Sequence, residues 1–421
     1  MRRYLLPGLL ALGLACTGPA GPVPVTRTPE DDVRYLASDT LGGRLIGSPG
    51  ADSAGAYLAR RFGEVGLTPL PGGWFQEFAV DSTSPAATHF GLAGARGRNV
   101  IGYLRGRDPA RRGELVIIGA HYDHLGPGRF SALDPDQAGQ THNGADDNAS
   151  GTSALIRIAA ELGKAPPARS VLFIAFSGEE EGLLGSAWYV RHPRLSMDSV
   201  QAMVNLDMVG RLRNDRLIVY GTATAEEFPG LLDSLNATAG FELHAKGDGY
   251  GPSDQSSFFA AGKPVLHLFT DLHEDYHRAS DDWDKLNYPG LDRVADFAAS
   301  IVRALADRAA PLTFISAPPP APVAAGNGSP GYGTYLGTIP DMTESPGGVR
   351  VTGVRAGSPA ETAGLRAGDI LIRLGDHPVS DLESMTVALR AHQPGDVVEL
   401  VILRDGAEIH LTATLGSRGG R

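Results

Sequence analysis

Apolar residues run unbroken through 171–176 (VLFIAF) and stop at Ser177-Gly178, the pattern of a strand buried on both faces. Helical spacing resumes near 183–191. Three consecutive glutamates, Glu179, Glu180 and Glu181, are thereby set at the carboxyl end of a core strand. Open α/β sheets place their ligand sites at that end. Neighbouring carboxylates repel one another, and a bound cation or a shared proton relieves them. The plainer alternative is a solvated acidic loop.

The same reading extends along the chain. Residues 31–36 predict a short helix and 40–49 (TLGGRLIGSP) a glycine-rich turn. Residues 51–65 predict an amphipathic helix, with Ala54, Tyr57, Leu58 and Phe62 at helical spacing and Gly66 as its stop. Strands are expected at 99–104, 115–120, 202–206, 217–220 and 264–269. Helices are expected at 225–239, at 292–306 and from an N-cap at Ser150 through Leu162, with Gly163 ending the last of these. Strands alternating with helices predict an α/β domain: a mixed, largely parallel sheet flanked by helices. A Pro/Ala/Gly-rich linker at 311–330 separates residues 29–310 from a small β-rich unit at 331–417.

A net charge of −11 argues against nucleic acid as a partner. The amino terminus, MRRYLLPGLLALGLAC, has two arginines followed by a short apolar run. That predicts a signal peptide over residues 1–16, a spacer over 17–28, and export to the periplasm or cell surface. Cys16 is the only cysteine, which rules out a disulfide within the chain. Its setting resembles a bacterial lipoprotein signal, with Gly13 where leucine is usual. A lipid on Cys16 would be the only membrane attachment, and plain secretion with cleavage near Ala20 is the alternative.

Several strand ends and loops carry metal-type ligands: His121, Glu179/Glu180, Asp207 and, in an acidic loop, His277. Asp146 and Asp147 stand at a helix start. Imidazole mixed with carboxylate suits zinc, whereas an all-oxygen set would suit magnesium or calcium. The motifs HYDHLG, GADDNASG, SGEEEGLLGS, NLDMVG and YHRASDD, in this order, resemble the zinc exopeptidase family of leucyl aminopeptidase, aminopeptidase Y and glutamate carboxypeptidase. The resemblance covers roughly residues 31–306.

That resemblance implies two zinc ions, peptide substrates and cleavage at a free amino terminus. It assigns His121 and Asp207 to one ion and Glu180 and His277 to the other. Asp147 bridges them, with Asp146 as its runner-up. Glu179 becomes the general base, and Glu181 faces solvent. Asp123 and Asp281 would orient the two histidine rings. Tyr250 would donate to the oxyanion, with Tyr276 as the alternative. Gln255 departs from the histidine that many relatives carry after Ser-Asp, a change that bears on substrate contacts and not on the metals. Six further histidines of the peptidase domain (His124, His142, His192, His244, His267, His273) are expected at the surface or in packing, with His124 and His273 lying nearest the site.

The segment beginning Tyr335-Leu336-Gly337-Thr338 and continuing GVRVTGVRAGSPAETAGLRAGDILIRLGDHPV resembles a PDZ domain of bacterial proteases. The resemblance implies a peptide C-terminus capped by backbone N–H groups at Leu336–Thr338. Two other functions compete with the aminopeptidase reading. One is carboxypeptidase or glutaminyl cyclase chemistry on the same scaffold. The other is an inactive peptide-binding lipoprotein, which loss of a ligand or of Glu179 would favour; all are present.

Overall fold

The computed structural model describes residues 27–317 and 334–417, apart from 85–86, 88–89, 252, 341–346, 356 and 381. The predicted signal peptide and most of the predicted linker lie outside the described residues. Eight strands form one sheet: β1 (Phe75–Ala79), β2 (Arg96–Leu104), β3 (Leu115–His121), β4 (Ser170–Phe176), β5 (Val200–Leu206), β6 (Arg216–Tyr220), β7 (Glu242–Ala245) and β8 (Val265–Phe269). Their order is β1-β2-β4-β3-β5-β8-β6-β7. The inner four, β4-β3-β5-β8, are mutually parallel, while β1, β2 and β6 join antiparallel to a neighbour. β3 and β4 are buried at every position, as unbroken apolar runs require.

Helices α1 (Pro29–Leu36), α2 (Pro49–Glu64), α3 (Gly151–Lys164), α5 (Phe228–Ala239) and α7 (Tyr288–Asp307) pack one face of the sheet. α4 (Leu184–Arg191) and α6 (Gln255–Ala260) cover the other, where Tyr189, Phe258 and Phe259 meet Phe176 and Val265. Leu155, Ile158, Ala159 and Leu162, one predicted stripe of α3, are all fully buried. The end of α2 follows the predicted stop: Gly66 has φ +91° and Leu67 N–H returns to the Phe62 carbonyl.

Three local expectations are corrected. Ser150 is helical and makes no cap; its hydroxyl donates to the Asp146 carbonyl at 2.7 Å, because the turn before α3 is already wound. Gly163 lies inside α3, which runs on to Lys164. The stretch 40–49 is not all turn, since Asp39–Arg44 form a 3₁₀ segment.

β3 and β4 diverge from β5 in chain order, so a crevice opens outside the carboxyl ends of β3 and β5, the switch point of an open sheet. The carboxyl-terminal unit has its own core around Val351, Leu371, Leu400 and Ile402. After β9 (Thr334–Tyr335), its main sheet runs β10 (Thr338–Pro340), β11 (Val349–Val354), β12 (Ile370–Leu374), β14 (Val397–Arg404), β15 (Ala407–Thr414), with β10 at an edge and β13 (His377–Pro378) paired to β12. The Arg355 guanidinium donates to the Ala132 carbonyl in the loop after β3. Among the described residues no helix is long and apolar enough to cross a membrane.

One buried ion pair ties α1 to α2. The Arg61 guanidinium meets Asp32 at 2.7 and 3.1 Å, and the Tyr57 hydroxyl donates to the same carboxylate. Asp32 and Arg61 are almost fully enclosed. Replacing Asp32 with Ala leaves a buried guanidinium unpaired, so urea unfolding of the peptidase domain should show a loss of about 3 kcal/mol.

Candidate active site

The crevice gathers five side chains from five segments. His121 ends β3, Glu180 follows β4, Asp207 follows β5, His277 lies in the loop after β8, and Asp147 lies in the turn before α3. His121 Nε2 is 3.2 Å from Asp147 Oδ1 and 3.3 Å from Asp207 Oδ1. His277 Nε2 is 3.2 Å from Asp147 Oδ2 and 3.2 Å from Glu180 Oε2. Asp147 therefore turns one oxygen to each of two imidazole–carboxylate pairs. Asp146 does not compete for that place. Its carboxylate accepts from Gly210 N–H at 2.7 Å and faces His273 Nε2 at 3.1 Å.

Local backbone sets this geometry. Gly144 has φ +55°, and a Cβ there would stand 2.0 Å from the Asp147 carbonyl oxygen, so the turn admits only glycine. Asp281 then accepts the N–H groups of Asp146 and Asp147 at 2.9 and 3.1 Å. The Asn148 amide closes the turn onto Leu206, and its carbonyl oxygen accepts Gly151 N–H.

Electrostatics follow from crowding. Burial pulls the His277 imidazolium down, but Glu180 and Asp147 outweigh it and hold the ring at about 10. Burial likewise lowers His121, while Asp207 and Asp147 carry it well above its ordinary value. Glu180 is brought to about 2, the His277 and His124 rings overcoming burial. Glu179 moves the opposite way: burial, with Glu180 and Asp207 close by, raises it well above the carboxylate range, against the pull of His121. Among the described residues its carboxyl accepts no hydrogen bond. Two imidazoles compressed against three carboxylates are the nitrogen and oxygen donors of a divalent cation, and mixed donors of this kind fit zinc. Ligand atoms of His121, Asp147 and Asp207 lie within 4.8 Å of one another, as do those of His124, Asp147 and Glu180.

His124, expected near the site as a surface or packing residue, instead touches the cluster itself. Its Nδ1 stands 2.7 Å from Glu180 Oε1 but 4.0 Å from Asp147 Oδ2. That is a direct hydrogen bond to one carboxylate, whereas His277 is equally close to both, so His277 is the better placed to share an ion. The spacing HYDH, three residues past His121, was the available signal. Other roles also change. The ring N–H partner of His121 is the Asp123 carbonyl, with Nδ1 at 3.3 Å; the Asp123 carboxylate is 3.9 Å away and instead accepts Glu180 N–H. His277 Nδ1 turns to the Ser131 carbonyl at 3.1 Å, because Asp281 is occupied by the Asp147 turn.

Glu181 does not face solvent. It is 6% exposed, drawn in beside the loop that follows β3. Tyr276 stacks on His277 with centroids 3.9 Å apart, while Tyr250 meets the Phe259 ring edge-on at 4.8 Å. Gln255 is fully buried and receives the Asn205 amide at 3.3 Å. His142 pairs with Asp134, His192 stacks on Trp188, His244 contacts Glu242, and burial among apolar neighbours takes His267 down to about 4.

Residues 99–302 match the sequence profile of Peptidase family M28, and residues 334–415 match that of a PDZ domain. The chain is similar to aminopeptidase YwaD of Bacillus subtilis, 28% identical over 225 residues, 49% of this chain and 44% of that protein. The chain thus spans less than half the length of that curated relative. Among solved structures, BSAP, a zinc aminopeptidase from Bacillus subtilis, superposes with a TM-score of 0.54 at 18% identity, over 66% of this chain and 94% of that one. The glutaminyl cyclase of Bacteroides thetaiotaomicron gives 0.54 at 18%, over 66% and 96%. At such identities the likeness is one of fold. The fold and the matched stretches are those of a peptidase scaffold followed by a PDZ unit. The stretch 99–302 is similar to peptidase family M28, and a stretch similar to a PDZ domain follows it.

Arg44 is the other participant that sequence reading passed over, because it lies inside the glycine-rich stretch. It is 1% exposed. Its guanidinium donates to the carbonyls of Tyr122 (2.7 Å), Asn143 (2.6 Å), Gly144 (3.0 Å) and Leu36. It thus pins the segment after His121 to the turn that carries Asp147. Burial lowers it to about 10, still cationic at neutral pH. Arg44→Met should cost about 3 kcal/mol or more in denaturant unfolding, since several buried carbonyls lose their donor.

Proposed function

We propose that this protein is an exported metallopeptidase that binds two zinc ions and removes amino-terminal residues from peptides. The observation that carries the reading is Asp147, whose two oxygens face two separate imidazole–carboxylate pairs. His121 and Asp207 would hold one ion and Glu180 and His277 the other, with Asp147 shared. The match to peptidase family M28 and the aminopeptidase name of the YwaD relative support the reaction class. The signal-like amino terminus supports export, and lipidation at Cys16 is part of the same proposal.

Zinc, when bound, supplies Lewis acidity and a water acidified enough to attack a carbonyl. The chain's own residues supply the proton path. Glu179 has a raised proton affinity and no competing hydrogen bond, so it takes the proton of the attacking water and returns it to the departing amine. A tyrosine hydroxyl steadies the oxyanion. Tyr250 is the residue that the family resemblance assigns, and the stacking of Tyr276 on His277 supports Tyr276 for the same task. The PDZ module would take a peptide or protein C-terminus at Tyr335–Thr338. β10 carries Thr338 on a sheet edge, where an added strand can pair.

Glu179→Ala should lower kcat on aminoacyl arylamides by about 10²–10⁴-fold while zinc content, measured by atomic emission, stays at two per chain. Hydrolysis undiminished in that variant defeats the mechanism, and one zinc per chain points to cyclase-type chemistry instead. Tyr250→Phe and Tyr276→Phe, assayed in parallel, identify the oxyanion donor as the variant whose kcat falls.

A further inference from the structure

The loop after β3 meets the PDZ domain at Arg355, whose guanidinium donates to the carbonyl of the buried Ala132. The residues on either side of Ala132 hold His277. The His277 ring donates from Nδ1 to the Ser131 carbonyl at 3.1 Å, and Leu133 N–H donates to the His277 carbonyl at 2.8 Å. One residue further, the Asp134 carboxylate accepts Ala279 N–H at 2.8 Å, and His142 Nε2 stands 2.8 Å from its other oxygen. Pro127, Phe130 and Ser131 of the same loop border Glu180.

The backbone of this loop needs holding. Ser131 has φ +61° and His277 φ +53°, the left-handed region that a residue with a Cβ enters only at a cost. Two such residues, bonded to each other, keep that conformation where surrounding contacts fix it. Arg355 supplies one of those contacts from outside the peptidase domain.

On the PDZ side Arg355 is anchored as well. It follows β11, and its backbone N–H donates to the Gly337 carbonyl at 2.8 Å. Gly337, with φ +87°, is the centre of the turn Leu336–Thr338, where a peptide carboxylate would be capped. A Cβ on Gly337 would stand 2.2 Å from the Ser358 Cβ, so the turn has little slack. Arg355 thus bonds the PDZ turn through its backbone and the His277 loop through its side chain.

We propose that Arg355 is a positioning residue that couples the two domains: it fixes the loop that orients His277, and a shift of the PDZ turn shifts that loop. The inference rests on the peptidase reading for the role of His277. It goes beyond that reading by making the PDZ turn a control point for hydrolysis. Linkage makes the coupling reciprocal, so the state of the peptidase site is also felt at the turn.

Amide hydrogen exchange, followed by mass spectrometry on the full-length protein, reads the coupling without relying on activity. Arg355→Ala should speed exchange across residues 129–134 about fivefold, the effect of one lost hydrogen bond, and should lower kcat on leucyl arylamide. Arg404→Ala breaks the 2.7 Å pair with Asp369 inside the PDZ domain but leaves Arg355 in place, and it should leave 129–134 unchanged. Zinc added to chelator-stripped protein should slow exchange of the Arg355 amide, and Arg355→Ala should abolish that response. Unchanged exchange at 129–134 in Arg355→Ala overturns the coupling, as do equal acceleration in Arg404→Ala and an Arg355 amide that ignores bound zinc. Should the protein take up no zinc or hydrolyse nothing, the peptidase reading fails, and the exchange comparison of parent with Arg355→Ala still decides the coupling.

Discussion

Everything at the mouth of this sheet depends on how one carboxylate, that of Asp147, is held between two imidazoles. A buried carboxylate is unstable unless its charge is matched, and here the matching is bilateral. His121 and His277 approach from opposite sides, and Asp207 and Glu180 stand behind them. The arrangement crowds like charges to an extent that only cationic partners can balance. In the chain itself the two rings and Arg44 provide that balance.

Holding Asp147 there requires parts far apart in the chain. Asp281 receives the amides of the turn, Asn148 ties the turn to β5, and Arg44 fastens it to the segment after β3. Each is a buried polar group hydrogen-bonded to another segment, so the scaffolding is stiff where the chemistry needs fixed distances. Glu179 is the exception. Its carboxyl shares the crowded field but accepts no hydrogen bond among the described residues, the condition for a group that accepts and releases a proton. The neighbours Glu179, Glu180 and Glu181 have three environments: unengaged at the crevice, bound to rings, and enclosed beside an apolar cleft.

The PDZ domain repeats the division between frame and site on a smaller scale. Its core is separate from the peptidase core, and Gly337, with φ +87°, shapes the turn before the edge strand. Arg355 accepts no part in that core. Its backbone N–H bonds the Gly337 carbonyl while its guanidinium reaches Ala132, next to the carbonyl that receives the His277 ring.

Local pattern was enough to find the framework. β3, β4 and β5 were readable because burial on both faces leaves an unbroken apolar run, and α3 because its stripe repeats every turn. The edge strands β1 and β7 and the six-residue α6 were missed, since short, half-exposed elements carry little periodicity. Polar residues at strand ends marked the side chains that gather in the crevice. What sequence could not supply was direction. Whether Asp146 or Asp147 faces the crevice turns on a glycine with positive φ and on an acceptor more than a hundred residues away. The inward course of Glu181, the contact of His124 with Glu180 and the place of Arg44 in the site depend likewise on partners brought together only by folding. Composition and spacing decide which groups are available; the tertiary structure decides which of them meet, because hydrogen bonds and charge pairing act over a few ångströms and not along the chain.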